Sequence, residues 1–434
     1  MKRLKWFLPG MGVKRWIGLI MAGLVLVMLG TTLLINTHFF AEVEVTLYRL
    51  VQQLQQHHGL FGIVVGVVII ALGLFLGGFG IRRAIDSLVK SIRPEESENL
   101  VDVVYKNRSL QKGPKITVIG GGTGLATMLR GLKEHSCNIT AIVTVADDGG
   151  SSGRIREELG MLPPGDIRNT LTALADTEPL MEKLFQHRFS RGKGLNGHSF
   201  GNLFIAAMTE ITGDFEEAIR ECSKVLAVRG HVIPSTLETV QLRAEFCDGT
   251  EVTGESKIPL SNKKIARVCL EPSNATALQE AIESILNSEV VVLGPGSLYT
   301  SVIPNLLVDG IVDALMKTNA ARIYVCNIMT QPGETDEMTA SEHLKALFDH
   351  SGGRKIVDYC IINNQRLTTA QRQKYSLEKA FPVVADLQKI EQYGVQPVLA
   401  PLINQSDLVR HDSLRLAEEI LNISHLKKNN KWVI

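Results

Sequence analysis

The sequence has almost no net charge. Its 46 Lys and Arg stand against 45 Asp and Glu, a formal balance of +1. No global field therefore favours nucleic acid as a partner. Cysteine is sparse and unpaired. Cys137, Cys222, Cys247, Cys269, Cys326 and Cys360 lie far apart, which speaks against a zinc site and against a disulfide framework. Reduced thiols in a cytoplasmic domain are expected instead. The chain has no internal repeat and no low-complexity tract. An H-E-x-x-H motif, a kinase set and a nucleophile elbow are likewise not expected from it.

Two long stretches lack charge altogether, Trp16 to Ile35 and Leu60 to Ile81. Each is long enough to cross a hydrocarbon core of about 30 Å at about 1.5 Å per residue. The first is long for a signal-peptide core of about 7–15 residues, and no clear small-x-small cleavage site follows it. Lys2, Arg3, Lys5, Lys14 and Arg15 precede the first run, and Arg82, Arg83, Lys90 and Arg93 follow the second. Between them stands Arg49, beside Glu42 and Glu44. The positive-inside rule then predicts a two-helix transmembrane hairpin, multi-pass in the cell membrane, with both termini and the main domain cytoplasmic. Gly73, Gly77, Gly78 and Gly80 would let the helices approach closely. The expected division is a hairpin at 1–81, with spans at about 16–35 and 60–81, a linker at 82–110 broken at Pro94, and a cytoplasmic domain at 111–434. The tail Lys427–Lys431 reads as a solvated end.

In that domain, Ile116–Ile119, Ile139–Val145, Val290–Leu293, Ile323–Cys326 and Tyr359–Ile362 are short and apolar, as buried parallel strands should be. Helical patterns at Leu125–Glu134, Ala275–Asn287 and Ser341–Phe348 alternate with them. The predicted fold class is α/β, a Rossmann-like, doubly wound, mostly parallel sheet. Val240–Glu255 alternates apolar and polar residues around Asp248-Gly249, which predicts a small antiparallel insertion on the main sheet.

Four strand ends carry polar, glycine-bearing loops. The first, Gly120-Gly121-Gly122-Thr123-Gly124, opens a helix. It lacks the P-loop Lys-Ser/Thr pair, and Leu125 takes the third glycine's place in the dinucleotide fingerprint. A plain strand–helix turn needs fewer glycines, so backbone N–H groups closing on an anion are the favoured reading. The second loop holds Asp147, Asp148, Ser151, Ser152 and Arg154. Its acids suit a ribose or Mg²⁺ beside phosphates, and its serines suit helix capping. Asp166 and Asn169 follow in Leu162–Asn169, and His198 and Asn202 in Asn196–Asn202. By spacing alone both are weak signals. The third loop holds Gly294, Gly296, Ser297 and Tyr299, whose ring could stack on a base or sugar. The fourth holds Asn327 and Thr330, placed to read polar atoms. Together the loops predict a shared cleft at the carboxyl ends of the strands.

The segments GGGTGLATMLRGLK, VADDGGSSGRIREELGMLPPGDIRN, HSFGN, AVRGHVIPST, GESKI, GPGSLYTSVIPNLLV and CNIMTQPGETDEMTASEH resemble the gluconeogenesis factor (YvcK) family, within the CofD-like superfamily. The resemblance runs in order over residues 114–350. It implies a Rossmann-like core and a cleft for UDP-sugars, notably UDP-N-acetylglucosamine. It also implies a role in growth on gluconeogenic carbon, in cell shape and in wall-precursor balance. No catalytic residue and no required cofactor are implied, and Mg²⁺ at Asp147 and Asp148 stays open. The partners expected are cell-wall synthesis proteins and a second copy of the chain; the N-terminal hairpin departs from the family's usual soluble layout and adds tethering at the membrane, near wall synthesis. The 2-phospho-L-lactate transferase branch is the alternative, an enzyme of deazaflavin cofactor synthesis. Its glycine loop looks more like GGTGGA, and it lacks the GGSSGR and LPPGDIRN continuation found here.

Overall fold

The computed structural model describes residues 14–35, 59–92, 108–176, 179–404 and 408–430. The chain divides into two compact units, Met1–Asn107 and Arg108–Ile434. The first holds helices Lys14–Ile35 and Gly59–Ile92. Gly23 and Gly73 let their backbones meet, since a Cβ built on Gly23 would lie 2.6 Å from the Gly73 carbonyl oxygen. Gly77 and Gly78, by contrast, have open space where a Cβ would stand.

The expected pair of membrane spans does not hold. Among the described residues one helix, Ile63–Ile85, is long and apolar enough to cross a membrane. Within helix Lys14–Ile35, the apolar stretch Arg15–Thr31 falls short of that length. The multi-pass placement with both ends on one side falls with it. The segment around Arg49, the Pro94 break and the extreme basic ends lie outside the described residues.

The second unit is built on a seven-stranded sheet. In chain order the strands are β1 Ile116–Gly120, β2 Ile139–Val143, β3 His231–Pro234, β4 Gln241–Phe246, β5 Glu251–Thr253, β6 Ile265–Glu271, β7 Val290–Leu293, β8 Ala321–Val325, β9 Tyr359–Asn363 and β10 Gln396–Ala400. The main sheet runs β10-β9-β8-β7-β1-β2-β3, and every pairing in it is parallel. β1 and β7 are fully buried, as continuous apolar strands covered on both faces must be. After β1 the chain moves outward through β2 and β3. It then returns to β7, on the other side of β1, and moves outward the opposite way. That reversal opens a crevice above the carboxyl ends of β1 and β7.

Helix Gly122–Leu132 follows β1 and buries Leu125, Met128, Leu129 and Leu132 on one face. That i, i+3, i+4, i+7 stripe points its positive amino end at the crevice. The hairpin expected at Asp248-Gly249 forms as β4 and β5. With β6 these strands make their own sheet, ordered β5-β4-β6, instead of extending the main one. The described residues from Arg154 to Val228 are mostly helical, with irregular chain between Gln186 and Phe200.

Candidate functional site

Two glycine loops face each other across the β1/β7 reversal. Gly124 lies so close to the second loop that a Cβ there would meet the Pro295 oxygen at 2.6 Å and the Gly296 Cα at 3.1 Å. Gly121 makes room for the Asp166 carboxylate in the same way. Part of the glycine content is therefore explained by close approach.

A cavity of about 340 Å³ lies over these loops. Among its lining residues, Gly122, Thr123, Gly124, Gly296, Ser297, Asn327 and Thr330 are sequence-predicted. The Asn327 side chain grips a backbone unit: its Oδ1 accepts from the Gly296 N–H at 3.3 Å, and its Nδ2 donates to the Gly296 oxygen at 2.8 Å. Gln331 donates to Ser297 Oγ at 2.8 Å. Thr330 Oγ1 accepts from the Phe381 N–H at 2.9 Å. These three contacts shape the loop before any ligand arrives. The far wall comes from Tyr375, Arg410 and His411, which no motif announced. The Tyr375 phenol oxygen accepts from the Val409 N–H at 2.9 Å, tying helix Thr369–Leu377 to that wall.

A second cavity, of about 310 Å³, is lined in part by Asp147, Ser151, Ser152, Asp166, Asn169 and Asn202, with Arg168 and Arg188. It adjoins the first loop, because the Gly122 N–H donates to Asp166. Arg168 donates to Asn202 Oδ1 at 3.0 Å and to Asn169 Oδ1 at 2.7 Å. Gly149-x-Ser151-x-Gly153 does have the spacing of a nucleophile elbow, contrary to expectation. Ser151 Oγ takes hydrogen bonds from Asn202 Nδ2 at 3.1 Å and the Ser199 N–H at 3.3 Å, so its own proton is left for His198 Nδ1 at 3.1 Å. Both side chains are almost fully buried. Burial, then Arg154, hold the His198 imidazole below its ordinary value.

Carboxylates gather beside this cavity. Burial, then Asp147, push Asp166 up to about 7. Burial, then Asp147, Asp166, Glu334 and Asp148, push Glu255 up to about 8. Burial pushes Glu334 up to about 7, against hydrogen bonds from Thr300 and from the Tyr299 and Thr300 N–H groups. Glu255 arrives from the antiparallel insertion, which docks where the Ser256 N–H donates to Asp148 Oδ1 at 2.8 Å. Asp147 Oδ1 accepts from the Gly149 N–H at 2.9 Å. Among the described residues no group of three or more His, Cys, Asp or Glu is arranged to hold a metal ion.

Gly121, Asp148, Arg154, His198, Gly294 and Tyr299 line neither cavity. Arg154 donates to the Asn196 oxygen at 3.0 Å. Tyr299 is 6% exposed and stands edge-on to His350, with ring centroids 5.9 Å apart, so its ring belongs to the core.

Residues 116–403 match the family model described as 2-phospho-L-lactate transferase CofD. With the doubly wound sheet and its switch-point cleft, that match defines a CofD-like α/β protein. A gluconeogenesis factor from Halalkalibacterium halodurans is 52% identical over 71% of this chain and 96% of its own, and one from Bacillus subtilis is 49% identical over 71% and 98%. A protein from Nostoc sp. is 46% identical over 96% of this chain and 91% of its own. A crystal structure of a Bacillus halodurans protein, 52% identical, superposes with a TM-score of 0.70 over 71% of this chain and 99% of that one. The chain belongs to the gluconeogenesis factor (YvcK) family.

Proposed function

We propose that the cleft above β1 and β7 binds a UDP-sugar, UDP-N-acetylglucosamine foremost, and that the protein acts as a sensor of this wall precursor during growth on gluconeogenic carbon. The observation that carries the reading is the pair of facing glycine loops beneath the helix amino end at Gly122, with Tyr375 and Arg410 in the opposite wall. Backbone N–H groups and a helix amino end suit a diphosphate. Arg410 adds a bidentate donor for phosphate, and Tyr375 offers an aromatic face for the base or sugar. The two cavities lie in the size range of small-molecule sites. Asp147 and Asp148 each give one oxygen to a backbone N–H. A Mg²⁺ ion held there would therefore draw its other donors from the ligand phosphates and water.

The apolar helix Ile63–Ile85 supports membrane association of the chain. Calorimetric titration of the full chain in detergent with UDP-N-acetylglucosamine, with and without Mg²⁺, tests the reading. Saturable heat supports it, and no heat from folded protein rejects it. Mass-spectrometric detection of a phospholactyl product from a nucleotide donor and a deazaflavin would favour the transferase alternative.

A further inference from the structure

We propose that the second cavity is a separate site for a sugar phosphate, with its phosphate on Arg168 and Arg188 and its hydroxyls on Asp147 and Asp166. The inference goes beyond the UDP-sugar reading and does not depend on it. Positive charge gathers in this cavity without a close counter-charge. Arg168 donates to the neutral amide oxygens of Asn202 and Asn169, and Arg188 donates to the Gly197 carbonyl oxygen at 2.6 Å. Both asparagines line the cavity, so the terminal nitrogens of Arg168 stand at its wall. A guanidinium has five N–H donors. With Nε buried and two donors spent on the asparagines, one N–H remains on each terminal nitrogen. Burial, then the nearby Arg188 charge, lower the Arg168 pKa, and the Arg188 repulsion exceeds the pull of either Asp166 or Asp147. A phosphate between the two guanidiniums relieves that repulsion and matches their planar forks.

The backbone adds charge of the same sign. Helices Gly150–Leu159, Gly165–Leu174 and Phe200–Thr212 each bring residues of their first turn to the cavity wall, and none has a side-chain cap on its amino end. Their unmet N–H groups favour an anion. The carboxylates define the rest of the ligand. A bare phosphate offers them little, whereas sugar hydroxyls donate to them. Asp147 Oδ1 is taken by the Gly149 N–H, which leaves Oδ2 for a hydroxyl. Burial, then Asp147, push Asp166 up to about 7, so near neutral pH it is largely protonated and repels an anion little. A volume of about 310 Å³, at the lower end of small-molecule sites, fits one sugar ring with its phosphate.

Calorimetry of the full chain in detergent, in buffer free of divalent metal, tests the proposal with glucose 6-phosphate, glucosamine 6-phosphate, orthophosphate and glucose. At least one sugar phosphate should bind about tenfold or more tightly than orthophosphate or glucose. Arg188→Ala, at an exposed rim position, should weaken it by about tenfold or more, and Arg168→Lys, which keeps the charge but loses the fork, should weaken it too. Arg410→Ala, in the wall of the first cavity, should leave it unchanged. Saturating UDP-N-acetylglucosamine should not displace it. Folded wild type that binds neither sugar phosphate overturns the proposal, and so does orthophosphate binding as tightly as they do. Affinity that survives Arg188→Ala but falls in Arg410→Ala, or displacement by UDP-N-acetylglucosamine, places the ligand in the first cavity and overturns it as well. A chain that binds a sugar phosphate in this pattern but no UDP-sugar rejects the earlier reading alone.

Discussion

Replacing Gly124 with alanine sets two effects of opposite sign against each other. Gly124 is the third residue of helix Gly122–Leu132, and helix propensity alone makes Gly→Ala stabilising by up to about 1 kcal/mol. The tertiary contact argues the other way. The new Cβ would lie 2.6 Å from the Pro295 oxygen, 2.9 Å from the Pro295 carbonyl carbon and 3.1 Å from the Gly296 Cα. Ordinary carbon contacts sit at roughly 3.5 Å or more, so the loops must part by about 0.5–1 Å. All three atoms are backbone and cannot rotate aside, and Asn327 holds Gly296 from behind. Overpacking of this kind costs about 1–3 kcal/mol, so net destabilisation is expected. Urea unfolding followed by circular dichroism should show a lower midpoint with an unchanged slope. Affinity for UDP-N-acetylglucosamine should fall by about tenfold or more as the anion cradle widens, a loss of about 1.4 kcal/mol. A raised midpoint with unchanged affinity would refute the loop contact.

Arg410→Ala should weaken UDP-sugar binding by about 1.5–3 kcal/mol, the worth of a charge-assisted hydrogen bond, with little change in melting temperature. Calorimetry beside a thermal melt separates the two effects. Asn327→Ala should lower both stability and affinity, because it frees the Gly296 peptide without touching the opposite wall, and the same two measurements check it. Tyr375→Phe leaves the Val409 N–H without its acceptor and should cost about 1 kcal/mol of stability. Asp166, Glu255 and Glu334 hold pKa values of about 7, 8 and 7 in the fold, above their unfolded values. Their protonated forms favour the folded state. That stability is fully present below about pH 4 and is lost as pH rises through about 7 to 8. The melting temperature should therefore fall between about pH 4 and 8 and level off above that, and Asp166→Asn should flatten part of the slope.

The buried strands were legible as runs of β-branched residues, because a strand covered on both faces has no polar position to spare. The two missed strands of the main sheet, β3 and β10, are its two edges. An edge strand tolerates proline and exposed positions, and these carry Pro234 and Pro397. The strand ends showed where the cleft would lie, since glycine there is readable locally. The opposite wall was not readable. Tyr375, Arg410 and His411 line the same cavity as the first glycine loop from some 250 to 290 residues further along the chain, without a motif of their own. Tyr299 shows the converse: a ring beside a glycine loop in sequence turns into the core and packs on His350. The apolar amino-terminal runs looked equivalent by composition, yet among the described residues only the second gives a helix that is both long and apolar enough to cross a membrane.

The central claim is that both glycine loops close on one nucleotide sugar. Backbone hydrogen exchange of the full chain, with and without saturating UDP-N-acetylglucosamine, tests it most directly. Slowed exchange is predicted together in Gly121–Gly124 and Gly296–Ser297, with a matching change across Val409–His411. Protection confined to other segments, or none despite saturation, would contradict it.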